Sequence, residues 1–69
     1  MDISTKIKLA ETYAKMSEAE LARKMGTTSQ ALGQRIKTGK FSSADLDAIA
    51  SALGAEFVCH FRFPDGTEI

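Results

Sequence analysis

Ser29, Gln30 and Gln34 are the side chains best placed to do recognition chemistry in this chain. They lie in a run from Ser17 to Gly39 that reads as two short helices joined by a tight turn. The second helix opens on small polar residues, Thr28 and Ser29, while Leu32 and Ile36, four apart, mark the face it turns inward. Ser29, Gln30 and Gln34 fall outside that face and reach outward. A Gln amide suits a bidentate contact with adenine, and a hydroxyl donates to or accepts from several bases. A helix-turn-helix presents a helix N-terminus to a DNA groove in this way. None of these residues is Arg, so strong guanine readout is not expected from the helix start.

Catalytic chemistry finds less support. Cys59 and His60 are adjacent in a segment of strand periodicity, so they point to opposite faces and cannot form a nucleophile–base pair with each other. Cys59 reads as a small apolar residue on a phenylalanine face and His60 as an exposed side chain. One Cys and one His are too few for a structural zinc site within one chain, and no Gly-rich phosphate loop is present. The chain is expected not to be an enzyme and to need no cofactor or metal.

The elements that must position the polar residues read as follows. Ile3, Ile7, Ala10 and Ala14 recur at helical spacing, with Leu9, Tyr13 and Met16 widening the stripe, and Asp2 or Ser4 caps this first helix. Ser17 and Glu20 form a capping box for the second, Leu21, Ala22 and Met25 its inner face, and Gly26 its stop. Thr28 caps the third. Gly33 within it costs about 1 kcal/mol relative to Ala, which implies a close approach to another helix or to DNA. Thr38-Gly39-Lys40 closes it. Ser42 or Ser43 opens a fourth helix, with Leu46, Ile49, Ala50 and Leu53 facing the core and Gly54 beyond its end.

The period then changes. Phe57, Cys59, Phe61 and Phe63 alternate with Glu56, Val58, His60 and Arg62, Phe63-Pro64-Asp65-Gly66 is a turn, and Thr67–Ile69 returns. The expected fold is therefore mainly α: one domain over residues 1–69, with a four-helix core over 1–54 and a C-terminal β-hairpin over 55–69. A lone hairpin is marginal in water and leaves an open edge. In so small a chain this favours a twofold dimer, with two hairpins joined into one sheet through Phe57, Cys59, Phe61 and Phe63.

Sixty-nine residues bound the chain to one domain of zero net charge. The charge is segregated. Residues 1–40 carry Lys6, Lys8, Lys15, Arg23, Lys24, Arg35, Lys37 and Lys40 against Asp2, Glu11, Glu18 and Glu20, a surplus of +4. Residues 41–69 carry Arg62 against Asp45, Asp47, Glu56, Asp65 and Glu68, a balance of −4. The helix pair thus lies at the basic end, which can orient a protein on DNA. No apolar run is long enough to span a bilayer, Lys6 and Lys8 interrupt any signal-peptide pattern, and a single cysteine fits a reducing cytosol. A cytoplasmic location is expected.

From Met16 to Gly54 the chain resembles the Cro/C1-type helix-turn-helix family of phage repressors and bacterial regulators. The resemblance rests on Glu20-Leu21-Ala22, Lys24-Met25-Gly26-Thr27-Thr28 and Leu46 through Gly54. It implies a lambda-repressor-like domain whose third helix lies in the major groove, with Thr28, Ser29, Gln30 and Gln34 reading bases. It also places phosphate contacts near the end of that helix, onto which Arg35, Lys37, Thr38 and Lys40 map. Free N–H groups at the starts of the second and third helices favour phosphate as well. Several Cro-like members pair through C-terminal strands, in keeping with the dimer. Two departures stand out. Glu18 occupies a position where the family often has a phosphate-touching Gln, and Gly26 to Gly39 is one residue longer than the commonest spacing.

The function these readings imply is sequence-specific binding of double-stranded DNA at a pseudo-palindromic operator, by a dimeric repressor of phage, mobile-element or bacterial origin. The competing reading is a protein-interaction module, such as an antitoxin or a small phage-encoded inhibitor built on the same fold. Zero net charge and Glu18 speak for it.

Overall fold

Asp2, Ser17, Thr28 and Ser42 each stand just before a helix, and each accepts a hydrogen bond from a backbone N–H that the helix itself leaves unpaired. In the computed structural model, which describes residues 2–69, they open α1 (Ile3–Tyr13), α2 (Glu18–Met25), α3 (Ser29–Thr38) and α4 (Ser43–Ala52). The capping box expected at α2 forms by half. The Ser17 hydroxyl accepts from the Glu20 amide at 3.1 Å, but the complete reciprocal box lies at α4, where Asp45 accepts from the Ser42 amide at 2.9 Å. Asp45 is held from its other side by Arg35, whereas Glu20 has no second anchor among the described residues.

The helix ends follow one backbone rule with one exception. α2 stops at Gly26 (φ 78°) and α3 at Gly39 (φ 70°), left-handed conformations that glycine adopts without a Cβ clash. α1 closes with the same geometry on Lys15 (φ 55°), whose amide and that of Met16 donate to the carbonyls of Thr12 and Glu11 at 3.1 and 3.0 Å.

α2 is the central element, packed on both α3 and α4, and α1 packs on α3. Leu21 and Leu32 are fully enclosed; Ile7, Ala22, Ile36 and Ile49 complete the core, with Met25, Phe41, Leu46 and Leu53 at its edges. The inner faces of α2, α3 and α4 are those expected. That of α1 is narrower. Ala14 and Leu9 are exposed and Tyr13 is 91% exposed, so the stripe neither reaches Ala14 nor widens to Leu9 and Tyr13. Glu11 is buried instead, because it continues the four-residue series from Ile3 through Ile7.

The C-terminal segment departs from the expected β-hairpin. The described residues contain no strand, only a single antiparallel bridge between Arg62 and Glu68. The chain doubles back at 64–66. The Phe61 and Ile69 amides donate to each other's carbonyls, the Phe63 amide donates to Thr67 at 2.7 Å, and the Thr67 amide donates to the Asp65 carboxylate at 2.9 Å. Thr67–Ile69 lie opposite Phe61–Phe63, and among the described residues Phe57–His60 take part in no such bridge. Residues 61–69 are all exposed, and an uncovered two-stranded ribbon gains little in water. The segment projects: the molecule measures 43 × 23 × 20 Å, and its radius of gyration is 13.2 Å. About 11 Å is ordinary for a domain of this length.

Candidate nucleic-acid interface

Leu32 and Ile36 are buried, and they fix the rotation of α3 about its axis. Ser29, Gln30 and Gln34 are consequently exposed, as are Thr28, Arg35, Lys37, Thr38 and Lys40. Gln30 and Gln34, four apart on one helix, stand one turn above each other on the same outward face. α3 runs without a break to Thr38, so the long interval from Gly26 to Gly39 is taken up by the turn at 26–28 and ten residues of helix.

The candidate residues are not equally available. The Thr28 hydroxyl accepts from the Ala31 amide at 3.1 Å and so serves the helix start. Ser29 is free of such a role among the described hydrogen bonds. Arg35 bends back to Asp45 across 2.5 Å, joining the last turn of α3 to the first turn of α4. The Thr38 hydroxyl donates to the Arg35 carbonyl at 3.1 Å. Lys37 and Lys40 have no ion-pair partner among the described residues. The phosphate set drawn from the sequence therefore divides into two engaged side chains and two uncommitted ones. The Arg35–Asp45 pair lies ten residues apart, beyond the reach of helical spacing, and only the packing of α3 beside α4 brings it together. The Ser42 amide and the Arg35 guanidinium hold the Asp45 carboxyl below the usual aspartate range.

Glu18 is the first residue of α2, and its carboxylate turns toward the other helices. It lies 3.9 Å from the Lys8 ammonium, and one of its oxygens is 3.2 Å from where a Cβ on Gly33 would stand. Gly33 thus accommodates a close approach from α2. Of the two reasons its presence implied, the one inside the protein is realised.

The tail residues are dispersed. Phe57 is half-buried and lines a groove with Ile3, Ile7, Leu46 and Leu53, whereas Cys59, Phe61 (77%) and Phe63 are exposed. They do not share one continuous face, because no ladder extends to Phe57. Cys59 and His60 are both exposed; the His60 imidazole lies 3.4 Å from Glu68. Among the described residues no group of three or more potential ligands surrounds a metal position, and no helix is long and apolar enough to cross a membrane.

Comparison with known proteins finds no matching family model, no matching curated sequence and no matching solved structure.

Proposed function

We propose that this chain is a sequence-specific double-stranded DNA-binding protein, a small cytoplasmic transcriptional repressor that acts as a dimer. The observation that carries the reading is the outward face of α3. Gln30 and Gln34 stand one turn apart with Ser29 beside them, on a helix locked in rotation by Leu32 and Ile36. In this reading α2, the turn and α3 are a helix-turn-helix of the Cro/C1 type and the glutamines meet base edges in the major groove. Lys37 and Lys40 meet phosphate, with the N–H groups at the helix starts. Arg35 and Thr38 act mainly within the protein, and Thr28 mainly as a cap. Repression follows from occupancy of the operator, which blocks access by other proteins.

The dimer rests on the projecting tail, whose Val58, Phe61, Phe63 and Ile69 are all exposed. Two copies joined there would set half-sites about one helical turn, roughly 34 Å, apart on a pseudo-palindromic operator. Those same exposed residues support the second reading, a protein-interaction module whose apolar tail engages a different protein.

Selection from a random double-stranded DNA pool separates the two. The expected result is a pseudo-palindromic consensus bound with an affinity that falls steeply as salt is raised, the mark of several neutralised phosphates. Absence of DNA binding at low salt overturns the repressor reading and favours the protein partner. Sedimentation at tens of micromolar tests the dimer; a monomer there removes it.

A further inference from the structure

Glu11 is the buried charged side chain of the helical body. It is 8% exposed, its neighbours along α1 are the core residue Ile7 and the half-buried Ala10, and one carboxylate oxygen, Oε2, is enclosed without a hydrogen-bond partner. An ionised carboxylate is costly in such a place unless it is paired. The charges that act on it are Glu18 at the start of α2 and Lys8 one turn back on α1. Lys8 is itself drawn to Glu18, 3.9 Å away, and Glu18 is confined on its far side by the backbone of α3 at Gly33. Asp2 and Lys37 line the same depression as Lys8, Glu18 and Gly33, but neither is among the charges that act on Glu11. The Lys8 ammonium pairs with Glu18, and the more deeply buried carboxylate, Glu11, is left with an orphaned oxygen.

We propose that Glu11 is a proton-operated latch: the chain takes up a proton at this carboxyl as α1 closes on the start of α2 and on α3. Protonation removes the buried charge, relieves its repulsion from Glu18, and leaves Lys8 to pair with Glu18 alone. Burial first, and then the Glu18 charge, raise the Glu11 carboxyl above the ordinary glutamate value of 4.5, while Lys8 opposes them. The sign follows from linkage. A carboxyl whose folded-state pKa is raised binds more protons when folded than when unfolded. Its contribution to stability is therefore unfavourable at neutral pH, improves as pH falls through the folded-state pKa, and is complete once the unfolded carboxyl has also titrated. The helical body is held more firmly in mild acid than at neutrality, independently of whether it binds DNA.

The direct test is a carboxyl carbon NMR titration of the native chain. Glu11 is expected to titrate above the ordinary glutamate value of 4.5, to move lower in E18Q and to move higher in K8Q. A Glu11 midpoint at or below 4.5 overturns the latch. Thermal unfolding from pH 7 down to pH 4.5, the ordinary glutamate value above which Glu11 titrates, supplies the second arm. The native protein's midpoint temperature rises over this interval and that of E11Q stays flatter. The tail pair His60 and Glu68 is common to both proteins, so the difference between them isolates Glu11. An E11Q that retains the whole rise also overturns the proposal. If E11Q does not fold, the titration of the native chain decides alone.

Discussion

The Ser4 hydroxyl donates to the Ile36 carbonyl at 2.6 Å, joining the first turn of α1 to the last turn of α3 across 32 positions of sequence. The last carbonyls of a helix have no partner within it. Here one of them is satisfied from another helix, while Asp2 takes the capping role at α1 that either residue was able to fill. Replacing Ser4 by Ala leaves a part-buried carbonyl unpaired at the end of α3. The expected cost is about 1–2 kcal/mol. Urea unfolding of Ser4→Ala measures it, and a loss within error of zero would mean that water replaces the hydroxyl.

Lys15 holds a left-handed backbone that a side chain adopts only at a cost of about 1–2 kcal/mol. Glycine relieves that strain but loses about 0.5–1 kcal/mol through the greater freedom of its unfolded chain. Lys15→Gly is expected to stabilise the protein by up to about 1 kcal/mol, whereas Gly26→Ala, which introduces the same strain, destabilises it by a similar amount or more. The two midpoints shift in opposite directions in one calorimetric series, and a destabilised Lys15→Gly contradicts the account of how α1 ends.

Acid acts on the aspartates with the opposite sign to Glu11. Asp2 accepts from the Thr5 amide, Asp45 from Ser42, and Asp65 from Thr67, and these bonds hold all three carboxyls below the ordinary value of 3.8. A depressed folded-state pKa contributes stability that is present above the unfolded value and lost as pH falls through the folded one. Stability is therefore expected to decline below about pH 4, beneath the mildly acid range where Glu11 improves it. In Asp45→Asn, the acid limb of a midpoint-versus-pH curve should be shallower; an unchanged limb removes Asp45 from the set.

If α3 reads DNA, the uncommitted side chains and the engaged ones separate on mutation. Gln30→Ala is expected to lose about 1–3 kcal/mol on the selected site and little on random DNA. Lys40→Ala weakens both alike and lowers the salt slope by about one. Arg35→Ala, whose side chain already faces Asp45, changes that slope less than Lys40→Ala does. Equal losses by Gln30→Ala on both DNAs contradict base reading, and an Arg35→Ala slope matching that of Lys40→Ala contradicts the internal role given to Arg35.

Much of the helical body is legible along the chain because its signals are local. Ser17, Thr28 and Ser42 mark starts within three residues of the amides they accept from, Gly26 and Gly39 mark ends through their own φ, and the spacing of Leu32 and Ile36 alone sets which way Gln30 and Gln34 point. The α1 stripe misled beyond Ala10: half-buried Ile3 with buried Ile7 and Glu11 form the inward series, while Leu9, Tyr13 and Ala14 are exposed. The tail misled for a different reason. Alternation from Phe57 to Phe63 reports what a strand would look like, but pairing needs a surface to cover it, and residues 61–69 are all exposed.

Local chemistry in the sequence therefore determined the four helices, the caps of α2 and α3 and the outward polar row of α3, and narrowed the caps of α1 and α4 to two residues each. Tertiary structure alone decided which charged groups remain uncommitted. Arg35 meets Asp45 because α3 ends beside the start of α4, Ser4 meets Ile36 because α1 crosses the end of α3, and Glu18 turns to Lys8 and Gly33 because three helices converge there. Such pairings depend on distances through space between residues far apart in the chain, and no periodicity along one helix encodes them.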